Sequence, residues 1–285
     1  MSSFFLTGTD TNVGKTVASR AIIQALQNQG IQIVGYKPVA FSREECVYTD
    51  MENQQAAESD YDSQDNSDVL TLMKSTHEKV SYQEINSYTF RHSLPVFSVQ
   101  GKHIRIEKMD ADLARLNQKY QAVLVEGSYG WLTPINKTYC FADWAKSHQM
   151  PVVLVVGIKE GCLNHALLTV ESIQQKGLPL LGWIANRINP CLGHYAEIIV
   201  FVSVKKLDAP LLGQIPYLHK PEEQDLARYI HNLDRLTYME NCFSRLVQHS
   251  RQKKAFYLSQ KRFFLIGKMN LFHIHFWLFI LFPFP

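Results

Sequence analysis

Acidic residues are absent from the last part of this 285-residue chain. No Asp or Glu follows Glu240, whereas seven basic residues do: Arg245, Arg251, Lys253, Lys254, Lys261, Arg262 and Lys268. Because the whole chain has a formal net charge of +3, leaving out those seven charges puts residues 1–240 at −4. A mildly acidic body has no broad basic surface, so we expect no nucleic-acid partner.

The chain has few cysteines, and their spacing gives no motif of paired cysteines. There are five, Cys46, Cys140, Cys162, Cys191 and Cys242, with no C-x-x-C pair among them. This usage is typical of a reducing compartment and argues against a disulfide framework and a zinc site. Since an apolar strand begins within a few residues of Met1, we also expect no secretory leader and a cytoplasmic location.

The chain also lacks an uninterrupted apolar run long enough to span a bilayer. Residues 263–285 are rich in Phe, Leu and Ile, but Lys268, Asn270, His273 and His275 interrupt them. Three interpretations are open: a membrane-surface anchor, a packing segment, or sequence without an evolved role. The abrupt change of composition after residue 240 favours the last, and membrane contact is the less favoured alternative. We predict one domain over residues 1–236 and a separate tail of unknown role over 237–285.

A glycine-bounded loop near the N-terminus is the most informative motif. Gly8-Thr-Asp-Thr-Asn-Val-Gly14-Lys15-Thr16 follows the apolar run Phe4-Phe5-Leu6 and precedes a helical pattern. Such a loop turns backbone N–H groups inward above a helix N-terminus, where a phosphate binds. Lys15 would reach the β- and γ-phosphates, and the Thr16 hydroxyl would hold Mg²⁺. The usual spacing requires glycine where Thr9 stands, so this is a longer variant of the phosphate-binding loop.

The rest of the chain alternates apolar strands with helical patterns. We predict helices over 17–26, 107–119 and 161–176, and strands over 31–36, 122–125, 151–156, 180–185 and 211–215. We interpret residues 43–67, which carry eight acidic residues and one base, as a solvated loop insertion. Apolar strands alternating with helices predict an α/β fold: a doubly wound, mostly parallel sheet with helices on both faces, of the P-loop NTPase type.

Polar residues cluster where the predicted strands end, which is where ligands bind in doubly wound sheets. Lys37 could be a strand-end lysine reaching solvent or a fixed cation, and spacing alone does not decide. Glu126 closes an apolar strand, where a carboxylate needs a partner or a metal, and Mg²⁺ is favoured beside a phosphate loop. Asp68 fits a helix N-cap equally well, and Gly161 to Asn164 fit an ordinary helix start as well as an anion site.

Taken together, the motifs resemble the dethiobiotin synthetase family over about residues 3–232. The stretches that carry the resemblance are 8–16, Gly35-Tyr-Lys-Pro-Val-Ala40, Val125-Glu-Gly127, Phe141-Ala-Asp-Trp144, Val155-Val-Gly157, Gly161-Cys-Leu-Asn-His-Ala166, Gly182-Trp-Ile-Ala-Asn186 and Gly213-Gln-Ile-Pro216. The resemblance implies an ATP- and Mg²⁺-dependent cyclo-ligase of biotin biosynthesis. It would join 7,8-diaminopelargonic acid and CO₂ into dethiobiotin through a carbamate and a carbamic-phosphoric anhydride. It also implies a homodimer with the substrate at the interface.

The resemblance assigns roles residue by residue. Lys37 and Lys15 would be catalytic, and Thr16, Asp68 and Glu126 would bind the metal. ATP would be bound by Asn12, Val13, Gly14, Lys15, Thr16, Val17, Asp68, Glu126, Gly127, Ser128, Tyr129, Asn186, Arg187, Pro216, Tyr217, Leu218 and Glu223. The second substrate would be bound by Thr11, Phe41, Ser42, Gly161, Cys162 and Asn164.

The chain departs from the family pattern in two places near the predicted site. Gly127-Ser128-Tyr129-Gly130 stands where the family has Gly-Ala-Gly-Gly or a close variant, and Phe41 replaces a serine that contacts substrate. A tyrosine takes a positive φ only at a cost, so one hypothesis is that Tyr129→Gly raises turnover by relieving crowding. Two alternatives remain at this stage: a membrane-docking switch ATPase, although residues 8–13 lack the extra lysine usual in that class, and a nucleotide-binding relative with impaired catalysis.

Overall fold

The computed structural model describes residues 3–41, 66–90, 104–191, 193–204, 207 and 209–237. Ser42, nearly all of the predicted acidic insertion 43–67, and the predicted tail beyond Thr237 lie outside the described residues. Within the part of the chain that is described, no helix combines the length and apolarity needed to cross a membrane.

Seven parallel strands form one sheet, which confirms the predicted fold class. The strands are β1 (Ser3–Gly8), β2 (Ile33–Phe41), β3 (Asn86–Phe90), β4 (Ala122–Glu126), β5 (Val152–Gly157), β6 (Leu180–Asn186) and β7 (Leu211–Ile215). Their order across the sheet is β3-β2-β4-β1-β5-β6-β7, and every pairing is parallel. The sheet therefore gathers the carboxyl ends of β1, β2 and β4 side by side, where ligands bind in such folds.

Helices follow most strands, as parallel connections require. They are α1 (Lys15–Asn28), α2 (Ser67–Ser75), α3 (Tyr82–Ile85), α4 (Ile106–Lys119), α5 (Phe141–Ser147), α6 (Cys162–Gln175), α7 (Tyr195–Val204) and α8 (Asp234–Thr237), with two short 3₁₀ turns at Pro221–Glu223 and Ala227–Tyr229. The predicted helices over 17–26, 107–119 and 161–176 are confirmed within a few residues at their ends.

Both faces of the sheet are buried, because successive side chains of β5 belong alternately to two core clusters. Val153 and Val155 belong to the larger core cluster, whereas Leu154 and Val156 belong to a second cluster with residues of α6. Successive strand side chains point to opposite faces, so a strand covered on both faces must be apolar throughout. This is why the predicted strands in the second half of the chain read as continuous apolar runs.

The predicted end of the second strand is wrong. β2 does not stop at Lys37-Pro38 but continues to Phe41, fully buried up to Ala40. It pairs with β4 as far as Tyr36, and from Lys37 onward it pairs with β3. Proline has no N–H to give to a ladder and is tolerated where pairing is one-sided, as it is at Pro38. Lys37 is consequently a buried residue inside a strand and not a lysine at its end.

A capping interaction explains how α5 begins. The carboxylate of Asp143 accepts hydrogen bonds from the backbone N–H of Cys140 at 3.1 Å and from its thiol at 3.0 Å. Lys176 at the end of α6 also donates to Asp143. A carboxylate that satisfies free N–H groups in the first turn stabilises the helix start.

Candidate active site

The phosphate loop joins β1 directly to α1, as its sequence predicts. Gly14 caps the helix with φ at 83°, a left-handed conformation that favours glycine. The ammonium of Lys15 folds back and donates to the backbone oxygen of Asp10 at 3.0 Å. The carboxylate of Asp10 in turn accepts from Thr11 N–H at 2.7 Å and from Lys159 at 2.9 Å. The loop is therefore held in shape by its own lysine and by a second lysine from the end of β5.

Asn186, the last residue of β6, braces the same loop. Its side-chain amide donates to the backbone oxygen of Val13 at 2.9 Å and is buried. A Cβ added at Gly14 would lie 2.0 Å from the Asn186 amide nitrogen. Glycine is thus required at position 14 both for its backbone conformation and for this close approach.

Lys37 and two carboxylates meet below the loop. The Lys37 ammonium, 3% exposed, lies 2.6 Å from Oε1 of the fully buried Glu126 and 3.0 Å from Oδ2 of Asp68, which is 33% exposed. The other oxygen of Glu126 accepts from Ser19 Oγ at 2.7 Å. Burial alone would lower the pKa of Lys37, but the charges of Glu126 and Asp68 outweigh it and raise that pKa.

The pKa of Lys15 shifts in the opposite direction to that of Lys37. Burial, followed by the neighbouring positive charge of Lys37, lowers the pKa of Lys15 to about 8, although Glu126 and Asp68 oppose the shift. A phosphate would supply the negative charge that is missing on this side of the loop. The two lysines that sequence reasoning singles out are therefore close enough to influence each other.

Three oxygen atoms form a cluster that fits Mg²⁺. The Thr16 hydroxyl lies 2.8 Å from Oδ1 of Asp68 and 2.9 Å from Oε1 of Glu126. Neighbouring ligands of an octahedral ion bound at about 2.0–2.1 Å are separated by roughly 2.9 Å, so these spacings suit magnesium. No group of three or more His, Cys, Asp or Glu side chains able to hold a metal occurs among the described residues. Further ligands would therefore have to come from phosphate or water.

These groups open onto one cleft of about 1080 Å³. The predicted site residues that line it are Thr11, Asn12, Gly14, Lys15, Thr16, Val17, Lys37, Phe41, Asp68, Ser128, Tyr129 and Glu223. Val13 and Glu126 are buried beside these residues through the contacts given above, and Gly127 contributes its backbone oxygen, 3.5 Å from the Lys37 ammonium. The structure thus brings both lysines, the proposed metal ligands and the phosphate loop together.

Other predicted residues do not line this cleft. They are Asn186, Arg187, Pro216, Tyr217 and Leu218 from β6, β7 and the segments that follow these strands, and Gly161, Cys162 and Asn164 at the start of α6. Asn186 contacts the back of the phosphate loop, while Tyr217 is 39% exposed. Gly161 and Asn164 are exposed, and Cys162 is buried in the second core cluster.

Sequence reasoning misses several residues of the cleft. α2 contributes Ser67, Thr71 and Lys74, and their spacing of four and three residues places them on one helix face. Arg20, one turn after Thr16, is also missed. Its guanidinium donates to the backbone oxygen of Gln224 at 3.1 and 3.3 Å and to Ser75 Oγ at 3.2 Å. It thereby ties the cleft-lining turn Pro221–Glu223 to α1.

The two departures from the family pattern meet in the cleft. Tyr129 has φ at 57°, the left-handed conformation that its place in the motif implies. Its ring lies 5.0 Å from that of Phe41, at an interplanar angle of 31°. The neighbouring Ser128 hydroxyl donates to the backbone oxygen of Val39. The loop after β4 is therefore fastened to the end of β2 by the hydrogen bond from Ser128 and by the contact between the two rings.

Known proteins place the chain in a family. It is 97% identical over 244 residues to the ATP-dependent dethiobiotin synthetase BioD 1 of Pasteurella multocida, covering 86% of this chain and 100% of that protein. The chain belongs to the ATP-dependent dethiobiotin synthetase family. The synthetases of Mannheimia succiniciproducens and Haemophilus influenzae are 67% and 61% identical over 84% and 85% of this chain, and over 98% and 99% of their own lengths. A family model described as an AAA domain matches residues 2–225. The dethiobiotin synthetase resemblance is confirmed, and the switch-ATPase alternative is not favoured.

Proposed function

We propose that this protein is an ATP-dependent ligase that closes the cyclic urea of dethiobiotin from 7,8-diaminopelargonic acid and CO₂. The observation that carries the proposal is the meeting of Lys15, Lys37 and the Thr16–Asp68–Glu126 oxygen cluster in one cleft. Family membership supplies the reaction, and the cleft supplies groups suited to it.

The reaction needs no nucleophile from the enzyme. One substrate amine attacks CO₂ and loses a proton, giving a carbamate. A carbamate oxygen then attacks the γ-phosphorus of ATP, and ADP leaves with the electron pair of the broken P–O bond. The second amine attacks the carbonyl carbon of the mixed anhydride and loses a proton, and phosphate leaves with the electron pair of the broken C–O bond as the ring closes. Positioning and charge neutralisation are the main contributions a protein can make to such steps.

The two lysines suit those contributions. Lys15 and the backbone N–H groups of the loop would hold the phosphates. Lys37 keeps its charge because Glu126 and Asp68 raise its pKa, so it would present a permanent cation to the carbamate and the γ-phosphate. Mg²⁺ held by Thr16, Asp68 and Glu126 would neutralise phosphate charge.

The remaining predicted residues would bind the ends of the two substrates. Asn186 would recognise the adenine, with Arg187, the segment 216–218 and Glu223 around the nucleoside. Gly161 and Asn164 are exposed and do not line the cleft of their own chain, whereas Cys162 is buried between them. In a homodimer, this α6 start would bind the carboxylate of a substrate held mainly by the partner subunit. We place this function in residues 1–236 and in the cytoplasm.

An ADP-release assay tests the function. Purified protein with ATP and Mg²⁺ is expected to release ADP only when both the diamine substrate and bicarbonate are present, with dethiobiotin detected by mass spectrometry. Lys37→Met should lower the rate at least about a hundredfold, the effect of losing one charge-stabilising group. Lys119→Gln is the matched control, because that lysine is ion-paired with Glu84 at 2.7 Å and 45% exposed. ADP release without the diamine, or ATP binding with no release under any condition, would overturn the proposal.

Mixing two inactive variants tests the shared site. Lys37→Met removes the cation from the cleft, and Asn164→Asp places a negative charge where a carboxylate would bind. If each site uses α6 of the partner, an equimolar mixture that exchanges subunits should recover about a quarter of the parent activity, because heterodimers form half of the population and have one intact site each. A mixture as inactive as its components would contradict the arrangement.

A further inference from the structure

Phe41 and Tyr129 form an aromatic pair on the wall of the cleft. Their ring centroids are 5.0 Å apart, and both side chains line the cleft. Phe41 also stacks on Phe90 of β3, at 5.7 Å and 24°. The pair is therefore supported from behind by the edge strand and does not project alone into solvent.

The position of the pair relative to Lys37 is fixed by β2. Lys37 and Phe41 are four residues apart on one strand, so their side chains leave the same face. Four residues of strand span about 13 Å. The pair therefore begins about 13 Å along the strand from Lys37, the cation that would face the carbamate. An extended small molecule would span that distance.

The backbone at Tyr129 shows that the contact is held in place by its surroundings. A φ of 57° is unfavourable for a tyrosine and persists only where neighbouring groups fix it. Here the Ser128 hydroxyl bonded to Val39 and the Phe41 ring supply that support. The contact between the two rings is therefore part of what holds this backbone conformation in the cleft wall.

We propose that Phe41 and Tyr129 act together as an apolar wall that binds the alkyl chain of the diamine substrate and selects for its length. This inference rests on the proposed function. The phosphate side of the cleft is lined by Lys15, Thr16 and Asp68, which leaves the aromatic side for the part of the substrate that has no charge. An apolar wall in the same cleft as the Lys37 cation matches a substrate that has a long aliphatic chain beside its amines.

Steady-state kinetics on three variants tests the wall. Phe41→Ser, Tyr129→Gly and the double variant are compared with the parent for three quantities: the diamine KM, the ATP KM and kcat. Each single variant should raise the diamine KM about tenfold, the order expected for lost apolar contacts, with the ATP KM unchanged. The double variant should be no worse than either single variant, because each ring depends on the other. The preference for diaminopelargonate over a shorter vicinal diamino acid should fall by the same factor.

A destabilised control separates binding from folding. Phe141→Leu alters an aromatic residue of the core, 2% exposed and outside the cleft, and should lower the thermal midpoint without changing the diamine KM. An unchanged diamine KM in both single variants, or a parallel rise in the ATP KM, would overturn the inference. A Tyr129→Gly enzyme with a higher kcat and an unchanged diamine KM would also overturn it, because that is the result expected if Tyr129 only crowds the site. A parent that releases ADP without diamine would instead refute the proposed function, and the inference with it.

Discussion

Replacing Glu126 by Gln removes one charge from the most buried ion pair near the cleft. The carboxylate of Glu126 accepts from Lys37 at 2.6 Å and from Ser19 at 2.7 Å, and it lies 2.9 Å from the Thr16 hydroxyl. Glutamine has nearly the same shape but only one acceptor oxygen, and its other end is a donor. Because Ser19 can accept from an amide N–H but an ammonium cannot, Glu126→Gln weakens mainly the contact with Lys37, at a side chain that is fully buried.

The size of the loss follows from burial. Removing one partner of a buried ion pair costs about 3–5 kcal/mol, because the other charge is left uncompensated. Asp68 remains 3.0 Å from Lys37 and keeps part of the compensation. We therefore expect a loss of about 3 kcal/mol in the free energy of unfolding, roughly a hundredfold in the unfolding equilibrium. Asp68→Asn is the matched control and should cost about 1 kcal/mol, because Asp68 is one-third exposed and Glu126 still neutralises Lys37.

Urea unfolding measures this difference. Parent and variants are unfolded at neutral pH with a chelator present, so that no divalent cation binds the carboxylates. A double variant, Lys37→Met with Glu126→Gln, should be more stable than the sum of the two single losses predicts, because both charges of the buried pair are removed together. A smaller loss of stability for Glu126→Gln than for Asp68→Asn would contradict this expectation, because Lys37 would then depend on the partly exposed carboxylate.

Three further outcomes are expected. Gly14→Ala should weaken ATP binding more than about tenfold in calorimetry, because the new Cβ would lie 2.0 Å from the Asn186 amide at a φ of 83°. Arg20→Met should raise the Kd for ATP about tenfold, because it releases the turn that lines the cleft. A hydrogen bond from a charged donor contributes about 1.5–3 kcal/mol. For Asp143, burial would raise the pKa, but its hydrogen bonds lower it to about 2. That carboxylate stabilises the fold above about pH 4 and loses its effect as pH falls toward 2. In urea titrations, Asp143→Asn should therefore lower the free energy of unfolding by about 1–2 kcal/mol at pH 7 and by almost nothing near pH 2.

Each of these outcomes has a discriminating comparison. Adding Asn186→Ala to Gly14→Ala should not restore ATP binding, because the backbone strain remains and the contact proposed for the adenine is lost with Asn186; complete recovery would mean that φ is unimportant. Arg20→Lys should bind ATP no better than Arg20→Met, since it lacks the fork that reaches Gln224 and Ser75. A loss of stability in Asp143→Asn that stays constant from pH 7 to pH 2 would assign the effect to packing.

The sequence alone predicts the parts of this molecule whose signals are local. The phosphate loop, the helix after it and the apolar strands β4, β5 and β6 all depend on spacing within a short window. β3 escapes prediction because Asn86-Ser-Tyr-Thr-Phe90 is polar for a strand, and it is stabilised by pairing with β2. Lys37, a site candidate from the sequence, lines the cleft. The prediction ends its strand too early, because Pro38 is tolerated only through one-sided pairing.

Contacts between residues that are far apart in the sequence cannot be predicted from local patterns. Phe41 and Tyr129 each stand out as departures from a motif, but nothing along the chain indicates that their rings touch. Ser19 and Arg20 look like ordinary helix residues, since their partners, Glu126 and Gln224, come from much later segments. These pairings depend on the order of strands in the sheet, which fixes neighbours that the sequence keeps far apart.

The hydrogen bond between Asn186 and Val13 has a consequence for how the chain is made. Ribosomes release the phosphate loop first, yet the amide that braces it is added 173 positions later. A nascent chain that stops before β6 has every loop residue and lacks the strut behind it. The phosphate loop therefore completes its bracing contacts only after β6 has been made and has joined the sheet.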